Sequence, residues 1–111
     1  MAERVDVTPV VLSAGFEPDW TTITADGVAV ANAQGRAVVM LRAVTAAQVT
    51  IQTHLTRAGL ALPDKVLTIA AGDEWIEPLT ERDVYNVAAS QAVLIDSNQI
   101  DTEILAVEFP Y

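Results

Sequence analysis

Short apolar segments alternate with turn-forming residues along the whole chain. Residues 36–42 are almost continuously apolar, which is typical of a central strand with both faces covered. Val28 and Val30 alternate with alanines, and residues 66–69 are mostly apolar or β-branched. The turn sequence Ala-Gly-Asp follows at 71–73. This pattern predicts strands joined by tight turns.

The middle of the chain fits two periodicities. Residues 48–55 alternate between polar and apolar side chains, yet the wider segment 41–62 also carries apolar side chains at the three- and four-residue spacing of a helix. Val49, Thr50 and Ile51 are β-branched and fit a pleated surface better than a helix. We therefore predict a strand here.

The segment after the 71–73 turn predicts a hairpin. Residues 74–79 run back against 66–69, with Trp75 and Glu77 on one side and Ile76 on the other. In this interpretation both strands belong to one sheet.

The N-terminal segment predicts an edge strand followed by a loop. Val5, Val7 and Val11 alternate with other residues, and Pro9 places the strand at a sheet edge because it has no N–H to donate. Residues 15–20 contain Gly and Pro and predict a loop.

About eight short strands define the expected fold class. They predict an all-β protein, a single small antiparallel β-sandwich of jelly-roll or immunoglobulin-like topology, with one short helical turn at 80–86 capped by Thr80. The 111 residues suffice for one domain. Within it we distinguish residues 1–20, a candidate partner-contact arm, from a sandwich core at 21–111.

Composition and charge exclude several classes of function. Fifteen acidic and six basic residues give a net charge of −9, which opposes general nucleic-acid binding. The sequence has no apolar stretch near the length of a membrane span and begins with no secretion signal, so we expect neither a membrane partner nor export. There are no cysteines, and stability is expected to come from packing.

The residues typical of catalysis are sparse. The single histidine, His54, lies in a predicted strand, and the serines and glycines form neither a nucleophile elbow nor a phosphate-binding loop. Asp96, Asn98 and Asp101 offer oxygen ligands, but a turn whose side chains bond to nearby backbone explains them better than calcium binding does. We therefore expect no enzyme activity, no cofactor and no metal.

Aromatic side chains are few and suggest two roles. Trp75 and Tyr85 are predicted to be buried or half-buried structural residues. Trp20, in the Pro-containing loop, fits a core position and a binding surface equally well.

Six segments in a fixed order resemble a family of small β-sandwich virion proteins of tailed bacteriophages, known as head decoration, head fibre or minor capsid proteins. They lie in the part of the chain from Asp26 onward, which is about three quarters of its length: 35–42 (GRAVVMLR), 49–53 (VTIQT), 60–73 (LALPDKVLTIAAGD), 76–79 (IEPL), 84–86 (VYN) and 93–97 (VLIDS). The sequence departs from the family at residues 77–79, where a Gly-Pro-Phe-like stretch is common, and at residues 1–20, where the family has a looser segment.

The resemblance implies a non-enzymatic protein that is made in the bacterial cytoplasm and binds the outer surface of an assembled phage head. Its expected partner is the major capsid protein, on which it would form a homo-oligomer, a trimer, and stabilise capsomer junctions without contacting nucleic acid. The candidate contact residues lie on the N-terminal strand and loop: Val5, Val7, Val11, Leu12, Phe16 and Trp20. Two alternatives stay open, a head-to-tail connector, tail or fibre component, and a carbohydrate- or receptor-binding module.

Overall fold

A computed structural model describes residues 4–13, 15, 17–54, 56–57, 60–61, 63–80, 85–87 and 90–110. The described part contains twelve strands, eight of them at least three residues long. They are β1 (Val5–Val7), β2 (Val10–Val11), β3 (Thr21–Thr22), β4 (Val28–Ala31), β5 (Ala37–Arg42), β6 (Ala47–Ile51), β7 (Thr56–Arg57), β8 (Leu60–Ala61), β9 (Lys65–Ile69), β10 (Glu74–Pro78), β11 (Ala92–Ser97) and β12 (Glu103–Glu108).

Two sheets pack face to face, and the predicted all-β sandwich is confirmed. The first sheet has the order β1-β4-β11-β6-β9. The second has the order β10-β5-β12-β2, and β3 lies beside β2 along the same edge of β12. Neighbouring strands are antiparallel except for β1 with β4 and β2 with β12, which are parallel, so the sheets are mixed rather than wholly antiparallel. Among the described residues, no helix has the length and apolar character needed to cross a bilayer.

The core forms where the inner faces of the two sheets meet. From β5, Val39 and Leu41 point inward beside Ala106 and Ile104 of β12, their partners in the ladder. The first sheet contributes the inward residues of β4, β6 and β11, which are fully buried: Val28, Val30, Val49, Ile51, Val93 and Ile95. These side chains are all β-branched, as the alternating sequence pattern predicts for strands.

The ambiguous middle segment is a strand at 47–51, as predicted, but the predicted strand at 48–55 is too long: residues 52–54, including His54, lie outside it. In β6, Ala47, Val49 and Ile51 are buried and Gln48 is exposed, which is the two-residue period of a sheet.

The predicted hairpin of residues 66–69 and 74–79 is wrong, because β9 and β10 belong to different sheets. The turn itself forms: Gly72 has a φ of +81°, and the N–H of Asp73 donates to the carbonyl of Ala70. Its backbone also bonds to Ala43 between β5 and β6, with a Gly72 N to Ala43 O distance of 2.7 Å. Sequence periodicity gives strands and a turn, but which neighbour each strand pairs with depends on this long-range contact.

The predicted sidedness of β10 is nevertheless confirmed. Trp75 and Glu77 pair with inward residues of β5, whereas Ile76 points outward and is 65% exposed. Glu77 is buried between the two edge strands, where its carboxylate accepts hydrogen bonds from Lys65 Nζ at 2.8 Å and Trp75 Nε1 at 3.0 Å. This charge pair connects β9 to β10 and closes that side of the sandwich.

A buried amide pair fixes one corner of the molecule. Asn32 Nδ2 donates to the carbonyl of Leu79 at 2.7 Å and to Asn86 Oδ1 at 2.9 Å, and Asn86 Nδ2 donates to the carbonyl of Asn32. The Asn32 Oδ1 atom accepts from the N–H of Ala37. The pair thus attaches the chain after β10 to the β4–β5 turn. The helical turn predicted at 80–86 falls largely on residues 81–84, which lie outside the described residues.

Arg4 attaches β1 to the first sheet. Its guanidinium contacts both carboxylate oxygens of Asp96, at 2.9 and 3.1 Å, and lies within reach of the carbonyls of Val28 and Ile95. The arginine passes over Gly27, where a Cβ atom would come within 3 Å of Arg4, Asp96 and Ile95. Gly27 also has a φ of +78°, so both its backbone and its lack of a side chain are required.

We predict that Gly27→Ala lowers the free energy of unfolding by about 2–4 kcal/mol, because it adds a collision with the Arg4–Asp96 pair to the strain of a positive φ. Chemical denaturation measures the change. Gly72→Ala is the matched control: it shares the positive φ, but nothing lies within 4 Å of the added Cβ, so it should cost only about 1 kcal/mol. Equal losses in the two variants would contradict the role of Gly27.

Candidate functional site

The residues predicted to contact a partner lie along one side of the sandwich. β1 forms the edge of the first sheet and β2 lies on the edge of the second, with residues 8 and 9 crossing between them. Pro9 lies at this crossing, where no backbone N–H has to donate a hydrogen bond to a neighbouring strand. We call residues 5–11 the N-terminal edge. The segment predicted as an arm therefore contributes a strand to each sheet.

On β1, the predicted contact residues face the core. Val5 and Val7 pair with the inward-facing Val28 and Val30 of β4. Val7 is 8% exposed and belongs to the core, whereas Val5, at the end of the strand, is 38% exposed. Val7 is thus a packing residue, and Val5 has a surface available to a partner.

On β2, the valines are more exposed to solvent than Val7 on β1. Val10 is 37% and Val11 46% exposed, and Leu12 is half-buried, with its N–H donating to the carbonyl of Glu108 at 2.8 Å. Sequence reasoning missed Val10, because the alternation that selected Val5, Val7 and Val11 assumed one continuous strand. The break at residues 8 and 9 changes the register.

Trp20 is half-buried and stacks against a basic side chain. The Arg42 guanidinium carbon lies 4.3 Å from the centre of the Trp20 ring. Arg42 is held there by Glu103, with an Nε to Oε1 distance of 2.8 Å. The hydrogen bond to Glu103, together with the negative charges of Glu103 and Glu74, raises the pKa of Arg42 above its ordinary value. Phe16, the remaining predicted contact residue, lies outside the described residues.

A cleft of about 150 Å³ opens beside the N-terminal edge. Along one side of β12, β3 pairs with residues 103–104 and β2 with residues 107–108, so Leu105 and Ala106 lie in the interval between the two short strands. The lining combines apolar and polar side chains: Asp6, Val7, Thr8, Val10, Asp19, Thr21, Leu105 and Ala106. No local sequence signal brings these residues together, since three separate segments meet only through the pairing of β12.

The oxygen-bearing residues considered as metal ligands have separate partners. Asp96 binds Arg4, Asn98 Oδ1 accepts from the N–H of Gln48 at 2.8 Å, and Asp101 Oδ2 accepts from Thr45 Oγ1 at 2.7 Å. Within the described part of the chain, no three acidic, histidine or cysteine side chains are grouped as a metal site would need. The sequence interpretation, in which these side chains bond to the backbone of their own turn, is wrong for Asn98 and Asp101, because both accept from the β5–β6 region.

The other aromatic residues differ in exposure. Tyr85 is half-buried against the core, as predicted. Trp75 is more open than predicted, because it lies on an edge strand, although its indole N–H is bonded to Glu77. His54 is exposed.

Comparison with protein-family models, with curated proteins and with solved structures gave no match to this chain.

We predict that Val7→Thr and Val11→Thr separate packing from surface at the N-terminal edge. Both changes keep the side-chain shape and replace one methyl group by a hydroxyl. At position 7 the hydroxyl is buried, and the free energy of unfolding should fall by about 1–3 kcal/mol. At position 11 the change should stay within about 0.5 kcal/mol. Thermal or denaturant unfolding measures both, and a loss at position 11 equal to that at position 7 would show that Val11 is not a surface residue.

Proposed function

We propose that this chain is a structural virion protein of a tailed bacteriophage, a capsid decoration protein that binds the assembled head through its N-terminal edge and stabilises capsomer junctions. Its partner in this proposal is the major capsid protein, on whose outer surface it forms a homo-oligomer, a trimer.

The resemblance to phage head proteins supports this proposal through residues that build the framework. The six matching segments supply β5, β6, β8, β9, β10 and β11, together with the 70–73 turn and Asn86 of the buried corner. They also include Lys65, whereas its partner Glu77 lies at 77–79, where the sequence departs from the family. The resemblance therefore concerns the way the sandwich is held together, and the partner surface requires a separate argument.

The open N-terminal edge is the observation that carries the proposal. In the described part of the chain, β1 and β2 each have a strand on one side only. Such an edge can accept a strand from another protein, with backbone hydrogen bonds supplying affinity. Val5, Val10 and Val11 expose apolar surface along this edge. Burial of this surface against a partner would stabilise the complex.

The charge of the chain supports an outer position on the head. A net charge of −9 keeps a particle surface soluble, whereas an inner position would place that charge beside packaged DNA.

The arrangement of Trp20 gives less support to a carbohydrate-binding module. Sugar-binding proteins often use an open aromatic face, but the guanidinium of Arg42 already stacks on the Trp20 ring.

The connector, tail or fibre alternative shares the same framework and is distinguished by copy number.

We expect the chain to be abundant on purified virus-like particles from the source culture. Quantitative mass spectrometry should give a ratio to the most abundant shell protein near one, or a simple fraction such as one third, because decoration follows the symmetry of the shell. About a dozen copies per particle would instead support a connector or tail component, and absence from the particles would reject the proposal.

We expect Val11→Lys to weaken binding to particles stripped of the chain by about tenfold or more, because it places a charge in the apolar part of the proposed interface. A sedimentation assay with purified chain measures the affinity. Val66→Lys is the matched control: Val66 is a valine on the opposite edge strand, β9, and is 54% exposed. Equal losses in both variants would reject the N-terminal edge as the contact surface.

A further inference from the structure

The cleft beside the N-terminal edge has the size of a pocket for one side chain. Its volume of about 150 Å³ is similar to that of a protein cavity that holds a single benzene ring. Val7, Val10, Leu105 and Ala106 provide apolar lining, and Thr8 and Thr21 provide hydroxyl groups. An aliphatic stem with a polar end fits this mixture better than a wholly apolar or wholly charged group does.

The two carboxylates of the cleft, Asp6 and Asp19, are not neutralised from within the described part of the chain. Neither takes part in any of its ion pairs, and no basic side chain lines the cleft. The described basic side chains are bonded elsewhere: Arg4 to Asp96, Arg36 to the carbonyl of Pro110, Arg42 to Glu103 and Lys65 to Glu77. Among the described residues, the charge of these two carboxylates is therefore left to solvent or to another molecule.

We infer that this cleft accepts one basic side chain, a lysine or an arginine, from an extended segment of the shell protein. The inference rests on the proposed function and specifies the chemistry of the partner. The stem of the side chain packs against Val10 and Leu105, and its cationic group bonds to Asp6, Asp19 and the threonine hydroxyls.

The position of the cleft agrees with strand addition at the same surface. It adjoins β1 and β2, so a segment that pairs with the N-terminal edge can direct one of its side chains toward Leu105 and Ala106. Backbone pairing is insensitive to sequence, whereas a pocket with two carboxylates selects a partner with a positive charge at one position.

The test compares two double variants with equal charge changes. Asp6→Asn with Asp19→Asn removes the negative charge of the cleft. Asp26→Asn with Asp73→Asn removes the same charge from two exposed turn residues outside the cleft lining. Unfolding of each variant is measured first, and both should be as stable as the original chain because all four side chains are exposed.

Binding to stripped particles is then measured at low and at moderate salt. We expect the cleft variant to bind about tenfold more weakly at low salt and to lose less affinity when salt is added, because its charge-assisted contact is gone. The control variant should change by about twofold or less. If the original chain binds and the cleft variant binds as the control does, the inference is overturned while the proposed function stands. If the original chain does not bind the particles at all, both are overturned.

Discussion

The two sheets of this protein bury their inner faces against each other while the chain passes repeatedly from one sheet to the other, and these crossings decide which strands lie side by side. At one side β9 leads into β10, and at the other β1 leads into β2, so each side is bordered by two strands consecutive in the chain. The crossing from β9 to β10 is fixed by the 70–73 turn, which bonds to Ala43. On the other side, Arg4 attaches the start of β1 to Asp96 over Gly27.

The polar groups inside the molecule serve the same arrangement. The Asn32–Asn86 pair joins the β4–β5 turn to the chain after β10, and Glu77 joins β10 to β9 through Lys65. Buried polar groups are costly unless they are bonded, so each pair favours the one packing of the sheets in which its partners meet. Apolar side chains such as Val39 and Val49 stabilise the core but fit many relative positions of the two sheets. The amides and charges add the specificity that valine and isoleucine lack.

Much of the fold could be predicted from the sequence because strand periodicity is local. The burial of alternate residues in β6, the position of β5 and the sidedness of Trp75 and Glu77 follow from short segments. The assignment of β9 and β10 to different sheets could not be predicted, because a hairpin and a crossing share the same strand and turn residues. The candidate site has the same limit. Val5 and Val11 could be found from alternation, whereas the cleft depends on where β2 and β3 end along β12.

The two sides of the sandwich differ in how readily their edge strands can accept a further strand. On the β9–β10 side, a buried carboxylate and an ammonium group lie between the edge strands. Inward charges at an edge disfavour the addition of a further strand. A molecule with one receptive side and one blocked side cannot extend a sheet from copy to copy, because a growing chain of subunits needs two receptive sides. In the proposed strand addition, such a subunit ends the shared sheet, and the number of copies on a surface is set by the number of partner strands that the surface offers.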